Sequence, residues 1–305
     1  MIRATQALPM SPAPTTSVLP EDLWRYIAAY IPSVQLRTLI SVNYAFLGIA
    51  LDEIYRDVRL DGRMLERLRV PGNAARVRHL EISDTKLKPS DETAEAVALM
   101  SGVVSVDLEW RDPGLVPEMS RFLSAARATF VHLRKLSLFG QMRTFAQLVA
   151  FVDYPNLEEL ALQFGFDPET ANSDLPRSVI APFINAQRQR LRVLTVTSIA
   201  TTDMAPLFDA LEDFECLEQV FLTFVFDSND LTDAILHFFS ANATTDKLSL
   251  FEVTHSMSPR GFHKAWNRFC GGLRMVVDDG VWDVTVPEWP ENVWVRAQKK
   301  RARCA

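Results

Sequence analysis

Glycine is scarce in this chain, 11 of 305 residues, and folds that bind nucleotides spend glycines where backbone must approach phosphate closely. No G-x-G-x-x-G, Walker loop or G-x-S-x-G occurs, so the usual signatures of dinucleotide binding, phosphate cradling and acyl transfer are missing. Cysteine is scarcer still. Cys216, Cys270 and Cys304 are too few and too widely spaced for a disulfide framework, which fits a reducing compartment. Positive charge is in the minority, with 32 Lys and Arg against 38 Asp and Glu for a net charge of -6. Such a balance supplies no basic field to hold a polyanion, and nucleic acid is not an expected partner. No stretch reaches the roughly 18 apolar residues of a membrane span, so no membrane partner is expected either.

What is present is patterned. Met1 to Val18 is rich in Pro, Ser, Thr and Ala without the continuous apolar run of a signal peptide, and residues 1–17 are expected to form a disordered leader. Ordered sequence is predicted to begin at Leu19-Pro20-Glu21-Asp22-Leu23-Trp24, where a proline in the first turn and two early acids suit a helix start. Leu23, Ile27 and Ile31 recur every four residues on one face, and Pro32 ends the helix. Ser33 is a candidate cap for a second helix with Leu36, Leu39 and Ile40, and Asn43 for a third with Phe46, Leu47, Ala50 and Leu51. Three short helices bury too little surface to be strongly stable alone, which makes a second, partner-facing apolar surface physically reasonable.

These residues carry a resemblance. Leu19 to Trp24, then Ile27, Ile31-Pro32, Leu36, Leu39, Val42-Asn43 and Phe46, followed by Ala50 to Leu60 as a strand-bearing tail, resemble an F-box, particularly its fungal form, over residues 18–60. Phe46 stands where many F-boxes have tryptophan, and Ala45 precedes it in place of a basic residue. The resemblance implies docking onto a Skp-type adaptor and through it a cullin-RING ubiquitin ligase, with Leu19, Pro20, Leu23, Ile27 and Pro32 as the adaptor contacts.

Downstream, an L-x-x-L-x-L pattern recurs. It reads Val77-x-x-Leu80-x-Ile82, Val103-x-x-Val106-x-Leu108, Leu133-x-x-Leu136-x-Leu138, Leu157-x-x-Leu160-x-Leu162, Leu191-x-x-Leu194-x-Val196 and Leu217-x-x-Val220-x-Leu222, with a weaker copy around Leu248-x-Leu250. The central positions 80, 106, 136, 160, 194, 220 and 248 stand 26, 30, 24, 34, 26 and 28 residues apart. Helix-compatible segments lie between them: Glu92–Met100, Pro117–Ala128, Thr144–Val152, Ser178–Gln189, Met204–Phe214 and Asp230–Ala241. The expected fold is α/β, an F-box-like three-helix module followed over residues 61–257 by a leucine-rich-repeat solenoid with a parallel sheet and outer helices. The asparagine usual after each strand of such repeats is missing, its positions holding Thr85, Arg111, Gln141, Gly165, Ile199 and Val225. A helix over Ser258–Phe269 is predicted to lead into a hairpin of Leu273–Val277 and Val281–Val286 about Asp279-Gly280, capping the array over residues 258–295. Residues 296–305 read as a basic tail, solvated or serving nuclear import.

Side chains alternate across a strand, so the neighbours of the core leucines form an open face. One row reads Glu81, Asp107, Ser137, Ala161, Thr195, Phe221 and Ser249, the next Ser83, Glu109, Phe139, Gln163, Thr197, Thr223 and Phe251. Early repeats are acidic, later ones offer Thr and Phe. Glu109, Phe139, Gln163, Thr197, Phe221, Thr223 and Phe251 are the candidate target-binding residues. His79, His132, His237, His255 and His263 form no H-E-x-x-H, the expected role of His79 and His132 is structural hydrogen bonding, and neither catalytic residues, metal ligands nor a cofactor are assigned. The functional expectation is a non-catalytic, cytoplasmic or nuclear substrate receptor of a Skp/cullin/F-box ubiquitin ligase that captures a protein target. The alternative is a leucine-rich scaffold without ligase association.

Overall fold

The computed structural model describes residues 20–39, 44–86, 90–152, 154–165, 173–199, 202–224, 229–243, 247–255, 263–276, 281–286 and 294–300. The chain divides into two compact units, Met1–Ile54 and Tyr55–Ala305. None of the helices among the described residues is long and apolar enough to cross a membrane.

In the first unit, helix α1 covers Glu21–Ala28. Pro20 pre-sets the turn with φ -52°, and its carbonyl accepts from the amides of Leu23 and Trp24. The helix stops before Pro32, whose ring disfavours helical backbone at the preceding residue. The Pro32 carbonyl then accepts from Gln35 and Leu36, opening α2 (Ser33–Leu36), which runs into a 3-10 turn at Arg37–Leu39. Helix α3 covers Tyr44–Arg56 and so runs into the second unit. The Asn43 cap and Leu19 lie outside the described residues. Ala28, Leu36 and Phe46 form the small core, with Trp24, Ile31, Leu39 and Ile49 half-buried around it. Trp24 meets Phe46 edge to face at 5.1 Å.

The second unit is built on a mostly parallel ten-stranded sheet: β1 (Asp57–Arg59), β2 (His79–Ser83), β3 (Ser105–Trp110), β4 (Lys135–Gly140), β5 (Glu159–Phe164), β6 (Val193–Ser198), β7 (Gln219–Phe224), β8 (Leu250–His255), β9 (Trp282–Thr285) and β10 (Trp294–Lys299). Strands β1 to β8 lie side by side in chain order, each parallel to the next. Parallel neighbours need a crossover, and here helices supply it: α4 (Gly62–Leu68) and α5 (Pro71–Ala74), then α6 (Asp91–Ala98), α7 (Val116–Ala126), α8 (Met142–Leu148), α9 (Ala181–Asn185, after one π turn at Pro176–Ile180), α10 (Ala205–Ala210) and α11 (Asn229–Ala243).

Parallel sheets covered on both faces read as continuous apolar runs. These strands instead alternate, with Val106, Leu108 and Trp110 of β3 buried and Ser105, Asp107 and Glu109 half-exposed, and β5, β6 and β7 follow the same rhythm. One face therefore packs beneath helices and the other stays open. Rings bind the layers together: Phe145 of α8 meets Phe164 of β5 at 5.8 Å and Phe183 of α9 at 5.3 Å, and Phe208 of α10 meets Phe224 of β7 at 5.5 Å and Phe238 of α11 at 5.7 Å. Register is set at the strand starts. The carbonyls of Arg78, Val104, Arg134, Glu158, Arg192 and Glu218 each accept two successive amides from the next segment, such as Val104 and Ser105 on Arg78.

Several expectations need correction. Val58 does not belong with the helical module, because β1 pairs with β2 as the first strand of the sheet. The seventh core motif is Leu248-x-x-Phe251-x-Val253: Phe251 stands in register with Val220, not on the open face, and its buried ring lies 4.6 Å from Phe239. Leu273 to Val276 is not a strand but the end of helix α12 (His263–Val276), because Trp266, Phe269, Cys270 and Leu273 share one buried helical face. The terminal hairpin joins β9 to β10, and β10 is the strand that reaches β8, antiparallel, so Trp294–Lys299 is sheet and not tail.

Candidate functional site

Two surfaces carry the residues singled out by sequence, one in each unit. On α1 and the turn after it, Trp24, Ala28 and Ile31 turn into the bundle, while Leu23 is 47% exposed and Ile27 40% exposed. Tyr26 and Tyr30, 64% and 73% exposed and four residues apart, occupy the adjacent strip, Tyr30 lying just past the helix end. Their rings stand 5.2 Å apart and the Tyr30 hydroxyl donates to that of Tyr26 at 2.9 Å, a bond that holds the Tyr30 phenol above its ordinary range. Leu23, Tyr26, Ile27 and Tyr30 make one largely exposed apolar arc. Pro20 and Pro32 are exposed at either end of the helix. Sequence reading placed Ile31 with Leu23 and Ile27, but it packs beside Leu36 and Phe46, and reading missed the tyrosine pair, whose four-residue spacing was the available signal.

The second surface is the open face of the sheet. Glu109, Phe139, Gln163, Thr197 and Thr223 are half-exposed and stand in register across five neighbouring strands, and Thr254 continues their row where Phe251 was expected. Phe221 sits one row over, between Thr195 and Glu252. The early end is a tied network: Ser83 Oγ donates to Glu109 Oε2 at 2.7 Å, Arg111 Nε donates to Oε1 at 2.7 Å, and the Arg111 guanidinium lies over the Phe139 ring at 5.5 Å. The Ser83 bond, against the opposing effect of burial and with help from Arg111, holds the Glu109 carboxyl below its ordinary range. Arg59 pairs with Glu81 at 2.6 Å and Arg296 with Glu252 at 2.5 Å.

Asparagine ties are present, but away from the expected turn positions. Asn242 Oδ1 accepts from the Phe214 amide at 3.1 Å, Asn185 Oδ1 from that of Glu212 at 3.0 Å, and Asn156 Nδ2 donates to the Val131 carbonyl at 2.9 Å. Each spans one repeat on the helix side. At the strand ends, Asp84 does comparable work, its Oδ2 accepting from the amides of Arg111 and Asp112 at 2.7 Å each.

Groups with reactive potential are dispersed. Burial pushes the Cys270 thiol up to about 11, and Cys216 is a half-buried free thiol 3.2 Å from Lys247 Nζ. The latter lies in an edge groove of about 690 Å³ whose charges pair along the sheet, Arg192 with Glu218 at 2.9 Å and with Glu158 at 3.9 Å. A smaller cavity of about 30 Å³ between Leu108, Trp110, Leu123, Phe145 and Leu148 has no titratable side chain in its walls. Among the described residues no three His, Cys, Asp or Glu side chains converge as a metal site would require. His79 is held by Ser105 Oγ at 2.9 Å and Asp107 at 3.4 Å, and His132 is exposed. No protein-family model matches the chain. A comparison with curated proteins likewise finds no match.

Proposed function

We propose that this chain is the substrate-recognition subunit of a Skp/cullin/F-box ubiquitin ligase, an F-box-like module docking the adaptor and an irregular leucine-rich-repeat solenoid holding a protein target. The observation that carries the reading is the apolar arc of α1. A soluble three-helix bundle rarely leaves Leu23, Tyr26, Ile27 and Tyr30 together in water unless another polypeptide covers them. The solenoid reading is supported by strands that neighbour one another in chain order, by burial on one face only, and by the same two-amide anchor at six successive strand starts. In this role the protein acts by raising the concentration of its target near a ubiquitin-conjugating enzyme, not by chemistry of its own.

The test is co-purification. Wild-type chain is expected to bring down a Skp-type adaptor and a cullin, and Leu23→Ala/Ile27→Ala, altering two exposed side chains, to lose both while keeping its helical circular dichroism. Adaptor recovery equal to wild type in that variant, or none with wild type, overturns the ligase role and leaves an interaction scaffold.

A further inference from the structure

The open face changes character steeply from strand to strand. On β2 and β3 it carries Glu81, Asp107 and Glu109, of which Glu81 and Glu109 have arginine partners at 2.6 and 2.5 Å. Among the described residues the one charged partner of Asp107 is His79, charged only when protonated; its Oδ1 is buried without a hydrogen-bond partner, while the side chain as a whole is 39% exposed. Negative charge thus remains uncompensated at β3. Beyond β3 the rows of Asp107 and Glu109 carry no charged side chain between β4 and β7, and Lys135 and Glu159 of the next row on this face are paired with each other at 3.5 Å. Ser137, Ala161 and Thr195 form a low floor, bounded by the Phe139 ring on β4 and the Phe221 ring on β7.

We propose that this face takes an extended polypeptide segment lying across the strands, with a lysine or arginine side chain against Asp107 and an apolar side chain seated between Phe139 and Phe221. Strands lie about 4.8 Å apart, so the floor at β5 and β6 is about 10 to 14 Å from Asp107, and an extended chain advances about 3.3 Å per residue. The basic and apolar residues are therefore three or four positions apart. Gln163, Thr197 and Thr223 border the floor and supply side-chain donors and acceptors for the segment's backbone. A nucleic acid is disfavoured because its phosphates would meet the uncompensated carboxylate. The proposal deepens the substrate-receptor reading, on which it rests, by giving the chemical class of the target.

The experiment is selection of displayed twelve-residue random peptides on the immobilised full chain, repeated with Asp107→Arg and with Ala161→Trp. Wild type is expected to enrich peptides with Lys or Arg three or four positions from Phe, Leu or Met. Asp107→Arg is expected to bind those peptides about tenfold more weakly and to favour Asp or Glu at the same position. Ala161→Trp fills the floor from the open side, and is expected to abolish enrichment while adaptor co-purification continues. No enrichment, enrichment without the basic residue, or a charge preference unmoved by Asp107→Arg overturns the inference, even where the adaptor still binds. Loss of the adaptor with the peptide preference intact instead overturns the ligase role and leaves this inference standing.

Discussion

At the scale of single residues, Gly140 is constrained by a neighbouring strand's backbone. A side-chain carbon added there would sit 2.8 Å from the Trp110 carbonyl oxygen, a backbone atom that cannot rotate away. Gly140→Ala is expected to lower stability by about 1 to 3 kcal/mol, seen as a shift of the urea midpoint. Asn242 is buried and satisfies the Phe214 amide, so Asn242→Ala, which orphans that donor, is expected to cost about 1 to 3 kcal/mol by the same measurement. Glu109 links stability to pH. Its folded carboxyl binds a proton less readily than in the unfolded chain, so its contribution is present at neutral pH and lost as pH falls through the folded value. Glu109→Gln should therefore lower the urea midpoint at pH 7 and converge on wild type below the ordinary carboxylate range.

At the scale of elements, the strands were the most legible part of the chain, because L-x-x-L-x-L places three side chains on one face whatever the length of the connection. Leu248 misled for a local reason: Leu250 two residues on completes an alternating pair, yet the buried position belongs to the larger Phe251, which reaches Phe239. Helices α4 and α5 went unread because Leu65 and Leu68 offer one turn of pattern, although Asp61 caps the first through the Met64 amide at 2.7 Å. The exposed leucine and isoleucine on α1 were legible from spacing, whereas their exposure depends on which neighbours fill the bundle. There Phe46 is central, and Phe46→Ala removes one of three buried core members. Losses of about 3 to 5 kcal/mol are typical for such a change. Hydrogen exchange should then show the amides of α1 unprotected.

At the scale of the second unit as a whole, the proposed solenoid draws its stability from a chain of neighbour contacts rather than from one central core. Strands β1 and β9 are each paired on one side only, whereas β4 to β6 are flanked on both. Native-state hydrogen exchange is expected to begin at β1 and β9 and to reach β5 last, and slowest exchange at either edge would contradict a neighbour-coupled array. The anchors at the strand starts have a further consequence. Crossovers of very different length all end with two amides on one oxygen, so pitch does not depend on how much polypeptide is looped out behind the sheet. A crossing cut at one such oxygen and transplanted to another would carry its own docking fixture, and the helical side could gain or shed turns while the strand starts keep their spacing.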